Sequence, residues 1–158
     1  MLSKVYTSAI LGIDACLVEV EVDISHGLPT FSIVGLPDAV VKESKDRVKS
    51  ALKNSNFEFP FNRITVNLAP ANIKKVGASF DLPIAIGILV ASKQISKDNI
   101  KDYIIAGELS LDGSVRGIRG GLCIALAMNK FRRENIIIPF DNAKEVASVD
   151  SLNVYPIK

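Results

Sequence analysis

The sequence predicts an α/β (α+β) domain in which one mixed sheet is packed with helices. Three observations carry this reading. Residues 16–24 alternate apolar Val18, Val20, Val22 and Ile24 with Glu19, Glu21 and Asp23, the period of a half-buried strand. From Asp38 to about Asn54, residues Val41, Val48, Ala51 and Leu52 fall on one helical stripe. Beyond that stripe, strand-like and helix-like runs alternate to the end of the chain. With 158 residues, 48% of them apolar and 23% charged, the chain is long enough for a single core, and no repeat, low-complexity tract or linker divides it.

The elements follow in order. After the first alternating strand, Ser25-His26-Gly27-Leu28-Pro29 supplies turn residues and Thr30–Val34 is a second β-rich run. So short a link predicts an antiparallel hairpin between the two. Gly35-Leu36-Pro37-Asp38 breaks the pattern, and Asp38 is placed to cap the helix that follows. Glu43 and Arg47 form an i,i+4 pair on its wet side. In the next strand, residues 62–68, Ile64, Val66 and Leu68 face one way, and Ala69-Pro70-Ala71-Asn72 ends it. A loop with Lys74, Lys75, Gly77 and Ser79 leads to a second helix, with Asp81 as its expected cap and Pro83 in its first turn, where a missing N–H costs nothing. Residues 84–91 are apolar on every side apart from Gly87, as in a helix buried at the centre of a fold. The run falls short of the roughly 20 residues that cross a bilayer. Residues 103–106 read as a strand, and 107–116 as a hairpin turning at Asp112-Gly113. A third helix over 121–130, a short strand at 136–138, a small helix capped by Asp141 and a last strand at 152–155 complete the chain.

Several chemistries lack their residues. None of the ten glycines is followed by Lys, so a phosphate-binding Gly-x-x-x-x-Gly-Lys-Ser/Thr loop is missing. The one histidine, His26, lies in a Ser-His-Gly turn and reads as a surface residue, not as the base of a Ser-His-Asp triad. Cys16 and Cys123 read as two buried thiols in a reducing cytoplasm, and with one histidine they cannot build a tetrahedral zinc site. The start of the chain lacks a signal-peptide pattern. A net charge of +2 gives no global pull toward nucleic acid; phosphate contact would need a local patch. Glu19, Glu21 and Asp23 read as one wet strand face, and the lysines over 42–53, balanced by Glu43 and Asp46, as a solvated helix face.

Five stretches carry a resemblance. They are Thr7-Ser8-Ala9-Ile10-Leu11-Gly12-Ile13-Asp14-Ala15, Gly27-Leu28-Pro29-Thr30-Phe31-Ser32-Ile33-Val34-Gly35-Leu36-Pro37-Asp38, Ile64-Thr65-Val66-Asn67-Leu68-Ala69-Pro70-Ala71, Phe80-Asp81-Leu82-Pro83-Ile84-Ala85 and Gly107-Glu108-Leu109-Ser110-Leu111-Asp112-Gly113. Together they resemble the N-terminal domain of ComM/YifB-type, magnesium-chelatase-like AAA+ ATPases. The resemblance implies a fold like the proteolytic domain of Lon, shared with domain two of small-subunit ribosomal protein five. It implies that the chain is one domain over 1–158, cut from a longer cytoplasmic protein whose AAA+ module holds ATP and Mg. The expected partners are that module, further copies in a hexameric ring, and DNA; no membrane is involved. Family members are implicated in natural transformation, as helicases that drive branch migration. Metal insertion into porphyrin belongs to a related family.

The resemblance also sets a test of hydrolysis. Lon-type cleavage uses a serine nucleophile and a lysine base within hydrogen-bond reach. Ser79, in Gly77-Ala78-Ser79-Phe80-Asp81, stands where the serine stands. The place of the lysine falls on Leu122 in an ungapped match from Gly107, or on Cys123 if Gly120-Gly121-Leu122 is aligned directly. Neither can act as the base, and Phe80 and Asp81 replace small residues beside the nucleophile. The expected role is therefore that of a non-catalytic domain that needs no cofactor of its own and aids ring assembly or DNA handling. Lys74 and Lys75 in one glycine-bearing loop, and Arg116 and Arg119 in another, are the candidate phosphate or partner contacts. The alternative is a cryptic Lon-like hydrolase built on Ser79. An RNA-binding domain, by analogy of fold alone, is disfavoured by the near-neutral charge.

Overall fold

A computed structural model describes residues 1–158. It is a mixed α/β domain. Seven strands form one sheet in the order β3-β4-β2-β1-β5-β8-β9, and β6-β7 form a small separate ribbon. Strands β1 (Leu2–Leu11) and β2 (Asp14–Ser25) make a long antiparallel hairpin, with Val5 opposite Val20. Gly12, at φ +64°, and Ile13 form its tip. In β2 the alternation works as the sequence implies: Val18, Val20 and Val22 are fully buried. Glu19 and Glu21 lie on the other face, where the Lys4 ammonium meets them at 2.9 and 3.4 Å.

β3 (Thr30–Val34) corrects the expected hairpin with β2. It pairs in parallel with β4 (Arg63–Ala69), and β4 inserts between it and β2. The reason lies in the intervening helix: α1 (Ala39–Asn54) is the crossover that returns the chain parallel to β3. The short Ser25–Pro29 link thus joins two strands that are not neighbours. α1 buries Val41, Val48, Ala51 and Leu52, together with Ser44. Asp38 caps it, accepting the Val41 N–H at 2.7 Å.

α1 and α2 (Asp81–Ala91) lie over one face of the sheet, and their apolar residues join those of β1, β2 and β4 in the main core. α2 is buried on nearly every side, and it packs so closely on the sheet that a Cβ on Gly87 would come within 2.6 Å of Val22. The opposite face carries α3 (Gly121–Ala127) and α4 (Ala143–Val146) over β5 (Tyr103–Ile105) and β8 (Asn135–Pro139), with a smaller core of Ile104, Ile124, Met128, Ile136 and Ile138. β9 (Asn153–Ile157) closes the sheet in parallel to β8. β6 (Glu108–Leu109) and β7 (Val115–Arg116) form the expected hairpin, in whose turn the Asp112 carboxylate accepts the Ser114 N–H at 2.9 Å. No helix is long and apolar enough to cross a membrane.

Two helix caps differ from expectation. Asp141 does not cap α4. It lies in a 3-10 turn, Phe140–Asn142, and the Asn142 side chain instead binds both the N–H and the C=O of Ile118 at 2.8 Å. Asp81 does not cap α2 either. It is the first helical residue and is fully buried. Its carboxylate accepts the Ser44 hydroxyl, the Arg47 Nε–H at 2.7 Å and the Leu109 N–H at 3.2 Å. The same ion pair holds the Arg47 guanidinium above its ordinary pKa. Asp81 therefore joins α1, α2 and β6, and a buried carboxylate needs all of these donors. Cys16 and Cys123 are free thiols, half-buried where full burial was expected. Replacement Asp81→Ala is expected to destabilise the domain by about 3–5 kcal/mol, because it strands Arg47 beside a buried void. Loss of the Asp38 cap in Asp38→Ala, which also gives up the Gly77 N–H, costs about 1–2 kcal/mol. Urea unfolding of the two variants checks the difference.

Candidate functional site: a cleft around Ser79

Ser79 sits in a 3-10 turn, Ala78–Phe80, immediately before α2. Gly77 enters the turn at φ +89°, a conformation that favours glycine. The Ser79 carbonyl accepts the Gly107 N–H at 3.0 Å, which fixes the turn against the end of β5. The serine faces a cleft of about 680 Å³. Ile10 and Gly12 of the first hairpin, Val76 and Gly77, Glu108, and Ile118 to Gly120 form its walls. Cys123 of α3 lines the same cleft, whereas Leu122 is exposed on the outer side of the helix. The alignment through Gly120-Gly121-Leu122 is thus the one that brings its residue, Cys123, into the cleft with Ser79.

Lys75 requires a correction. Expected as a surface cation, it is fully buried. Its ammonium donates to the carbonyl oxygens of Gly35, at 2.7 Å, and of Pro70. Its backbone N–H donates to Leu36 O at 3.1 Å, and its carbonyl accepts the Asp38 N–H at 2.9 Å. Asp38 completes the knot by accepting the Gly77 N–H at 3.3 Å with its second carboxylate oxygen. Two loops, residues 35–38 and 70–77, therefore close on one amine. Gly35 is needed here, since at φ +99° its backbone comes so near β4 that a Cβ would sit 2.2 Å from Leu68 O. Burial pushes the Lys75 ammonium below the ordinary lysine pKa.

Of the other candidate contacts, Lys74, Arg116 and Arg119 are exposed. Arg119 lines the cleft, and Arg116 is held at its rim by Ser110 Oγ, 2.6 Å from Nε, with Glu108 3.9 Å away. Sequence reasoning missed Glu108, a carboxylate in the cleft wall, although its Gly-Glu-Leu setting belongs to a recognised stretch. The site thus joins a hydroxyl, a thiol and a carboxylate, with arginines at the edge.

If Lys75 is a structural tie, Lys75→Met leaves the Gly35 carbonyl unpaired and the Pro70 carbonyl with only the long Ile73 N–H contact at 3.5 Å, and destabilises the chain by about 2–3 kcal/mol. Lys74→Met shifts stability by at most about 0.5 kcal/mol. The pH dependence has a definite sign. Folding lowers the Lys75 pKa, so between the folded and unfolded values the unfolded chain binds more protons and stability rises with pH. That upward drift on the alkaline side is present in the parent chain and absent from Lys75→Met, as denaturant unfolding across the alkaline range measures.

Comparison with known proteins follows the same lines. The family model described as subunit ChlI of Mg-chelatase matches residues 20–142. The chain is 49% identical over 154 residues to competence protein ComM of Haemophilus influenzae, covering 98% of this chain and 30% of that protein. It is 46% identical over 149 residues to the uncharacterized protein YifB of Escherichia coli, covering 94% of this chain and 29% of that protein. A weaker similarity, 28% identity over 154 residues, joins it to the Lon protease of the Aster yellows witches'-broom phytoplasma, with 89% of this chain and 19% of that enzyme covered. The chain spans about 30% of the length of the ComM and YifB relatives. With the family model matched over residues 20–142 and the ComM and YifB similarities running over 94–98% of its length, the chain belongs to the magnesium-chelatase ChlI-like family.

Proposed function

We propose that this chain is a non-catalytic, Lon-like module of a ComM/YifB-type ATPase, which it serves in ring assembly or in the handling of DNA. One observation carries the reading: the amine nearest to Ser79 in sequence, Lys75, is committed to the carbonyls of Gly35 and Pro70, and the cleft is lined by Cys123 and by no lysine. A serine hydroxyl is a weak nucleophile until a neighbouring base takes its proton. The Glu108 carboxylate in the cleft wall faces the Arg116 guanidinium at 3.9 Å. Beside the serine, Phe80 is buried in the core and Asp81 is spent on Arg47 and Ser44, so both residues belong to the scaffold.

The whole protein, on this reading, is a hexameric ring ATPase acting as a helicase in branch migration, in keeping with the competence protein among its relatives. ATP and magnesium would bind its ATPase module; the residues of this chain offer no phosphate loop to hold them. Within this chain, the exposed cations Lys74, Arg116 and Arg119 are the contacts suited to DNA phosphates or to the ATPase module. Lys75 is withdrawn from that set because it is buried. The rival reading, a cryptic hydrolase built on Ser79, draws on the serine's place in the cleft.

Two measurements test these readings. The purified chain is expected neither to cleave casein nor to react with a fluorophosphonate probe; stoichiometric labelling of Ser79 would establish the hydrolase instead. In the full-length protein, charge reversal of Lys74, Arg116 and Arg119 together is expected to lower DNA retention in filter binding. Unchanged retention removes the DNA role from this face.

A further inference from the structure

A second concave surface lies along α1 and shares no lining residue with the Ser79 cleft. Lys42, Lys45, Lys49 and Lys53 recur every three or four residues and form one exposed stripe on this helix. The segment after the helix, residues 57–61, runs beside its C-terminal half and carries phenylalanine at every second position. Lys45, Lys49 and Lys53 form one wall of a groove of about 250 Å³, and Phe31, Phe59 and Phe61 form another. Phe59 is anchored against Phe31, with ring centroids 5.9 Å apart. Phe61 is 81% exposed. The Lys49 ammonium stands 5.9 Å from the Phe59 ring centroid, and the Lys53 ammonium 6.0 Å from that of Phe61. Asp46 is the one carboxylate in the lining, against three ammonium groups.

A solubilising lysine face explains the charges but not an exposed phenyl ring beneath them. We infer that this groove binds single-stranded nucleic acid. The chemistry matches on two independent counts. Successive lysines four residues apart are displaced by about 6 Å along the helix, so a row of ammonium groups can follow the phosphates of an extended strand. The open face of Phe61 offers a stacking surface that any unpaired base can use, whereas duplex bases are already stacked on one another. An acidic peptide would satisfy the lysines and leave the ring without a partner. The patch is local, as a chain of net charge +2 requires. The inference is independent of the pseudo-protease reading: loss of the groove leaves the argument about Ser79 and Lys75 as it stands.

The test is fluorescence anisotropy of a labelled oligothymidine strand with the purified chain at a series of salt concentrations. The variants are Phe61→Ala and the triple replacement Lys45→Gln, Lys49→Gln and Lys53→Gln. All four positions are exposed, and circular dichroism checks the fold. Saturable binding at low salt is expected, weakening as salt rises. The triple variant is expected to reduce the slope of log affinity against log salt by about 2, from three phosphate contacts on a single strand. Phe61→Ala is expected to weaken binding about 10-fold while leaving that slope in place. Absence of saturable binding at low salt, or unchanged affinity in both variants, overturns the inference. So does binding to polyglutamate that matches the oligonucleotide in strength and ignores Phe61→Ala, since that would mark the groove as a site for acidic protein.

Discussion

A single buried ammonium organises the part of the molecule on which the functional reading turns. Lys75 reaches the Gly35 and Pro70 carbonyls, while its own backbone pairs with Leu36 and Asp38. A charge withdrawn from water needs acceptors, and these carbonyls meet two of the three N–H donors of the ammonium. The loop before α1 and the loop that runs from β4 to Ser79 are therefore tied to each other, and neither can move without exposing the amine or stranding a carbonyl. The same tie decides the chemistry. A lysine four positions from a serine suggests a catalytic pair, but this one is turned into the scaffold.

A second tie works beside it. Asp81, at the start of α2, gathers Ser44 and Arg47 from α1 and the Leu109 N–H from β6. The floor of the cleft is thus held from below by a buried ion pair and from the side by the Lys75 knot. Between them the Ser79 turn is fixed, with the Gly107 N–H bound to its carbonyl. The result is a hollow with a hydroxyl, a thiol and a carboxylate in its walls and no lysine amine among its lining residues.

Much of this architecture was legible in the sequence where the signal is local. The alternation around Val18, Val20 and Val22, the stripe from Val41 to Leu52, the all-apolar α2 and the Asp112-Gly113 turn each report their own environment. Partners distant in sequence were not legible. β1 carries Ser3, Thr7 and Ser8 toward the interior, so its pattern does not alternate, and only its place between β2 and β5 makes it a strand. The hairpin expected between β2 and β3 failed because α1 returns the chain as β4 into the place between them, a long-range outcome that a short turn cannot reveal. Asp81 and Lys75 were misread for the same reason. A carboxylate before a helix resembles a cap, and a lysine in a glycine-bearing loop resembles a surface cation, until the groups that close on them are known. Ser79 and Cys123, two of the positions that the family resemblance singled out, line one cleft, whereas Leu122 does not.

The most direct test of this account is a 1H–15N NMR titration of the Lys75 ammonium in the parent chain and in Ser79→Ala. An amine held by two carbonyls exchanges slowly with water, and its titration is the same in both chains. A Lys75 pKa that moves when the serine hydroxyl is removed would show the two groups to be coupled, and would contradict the assignment of Lys75 to the scaffold.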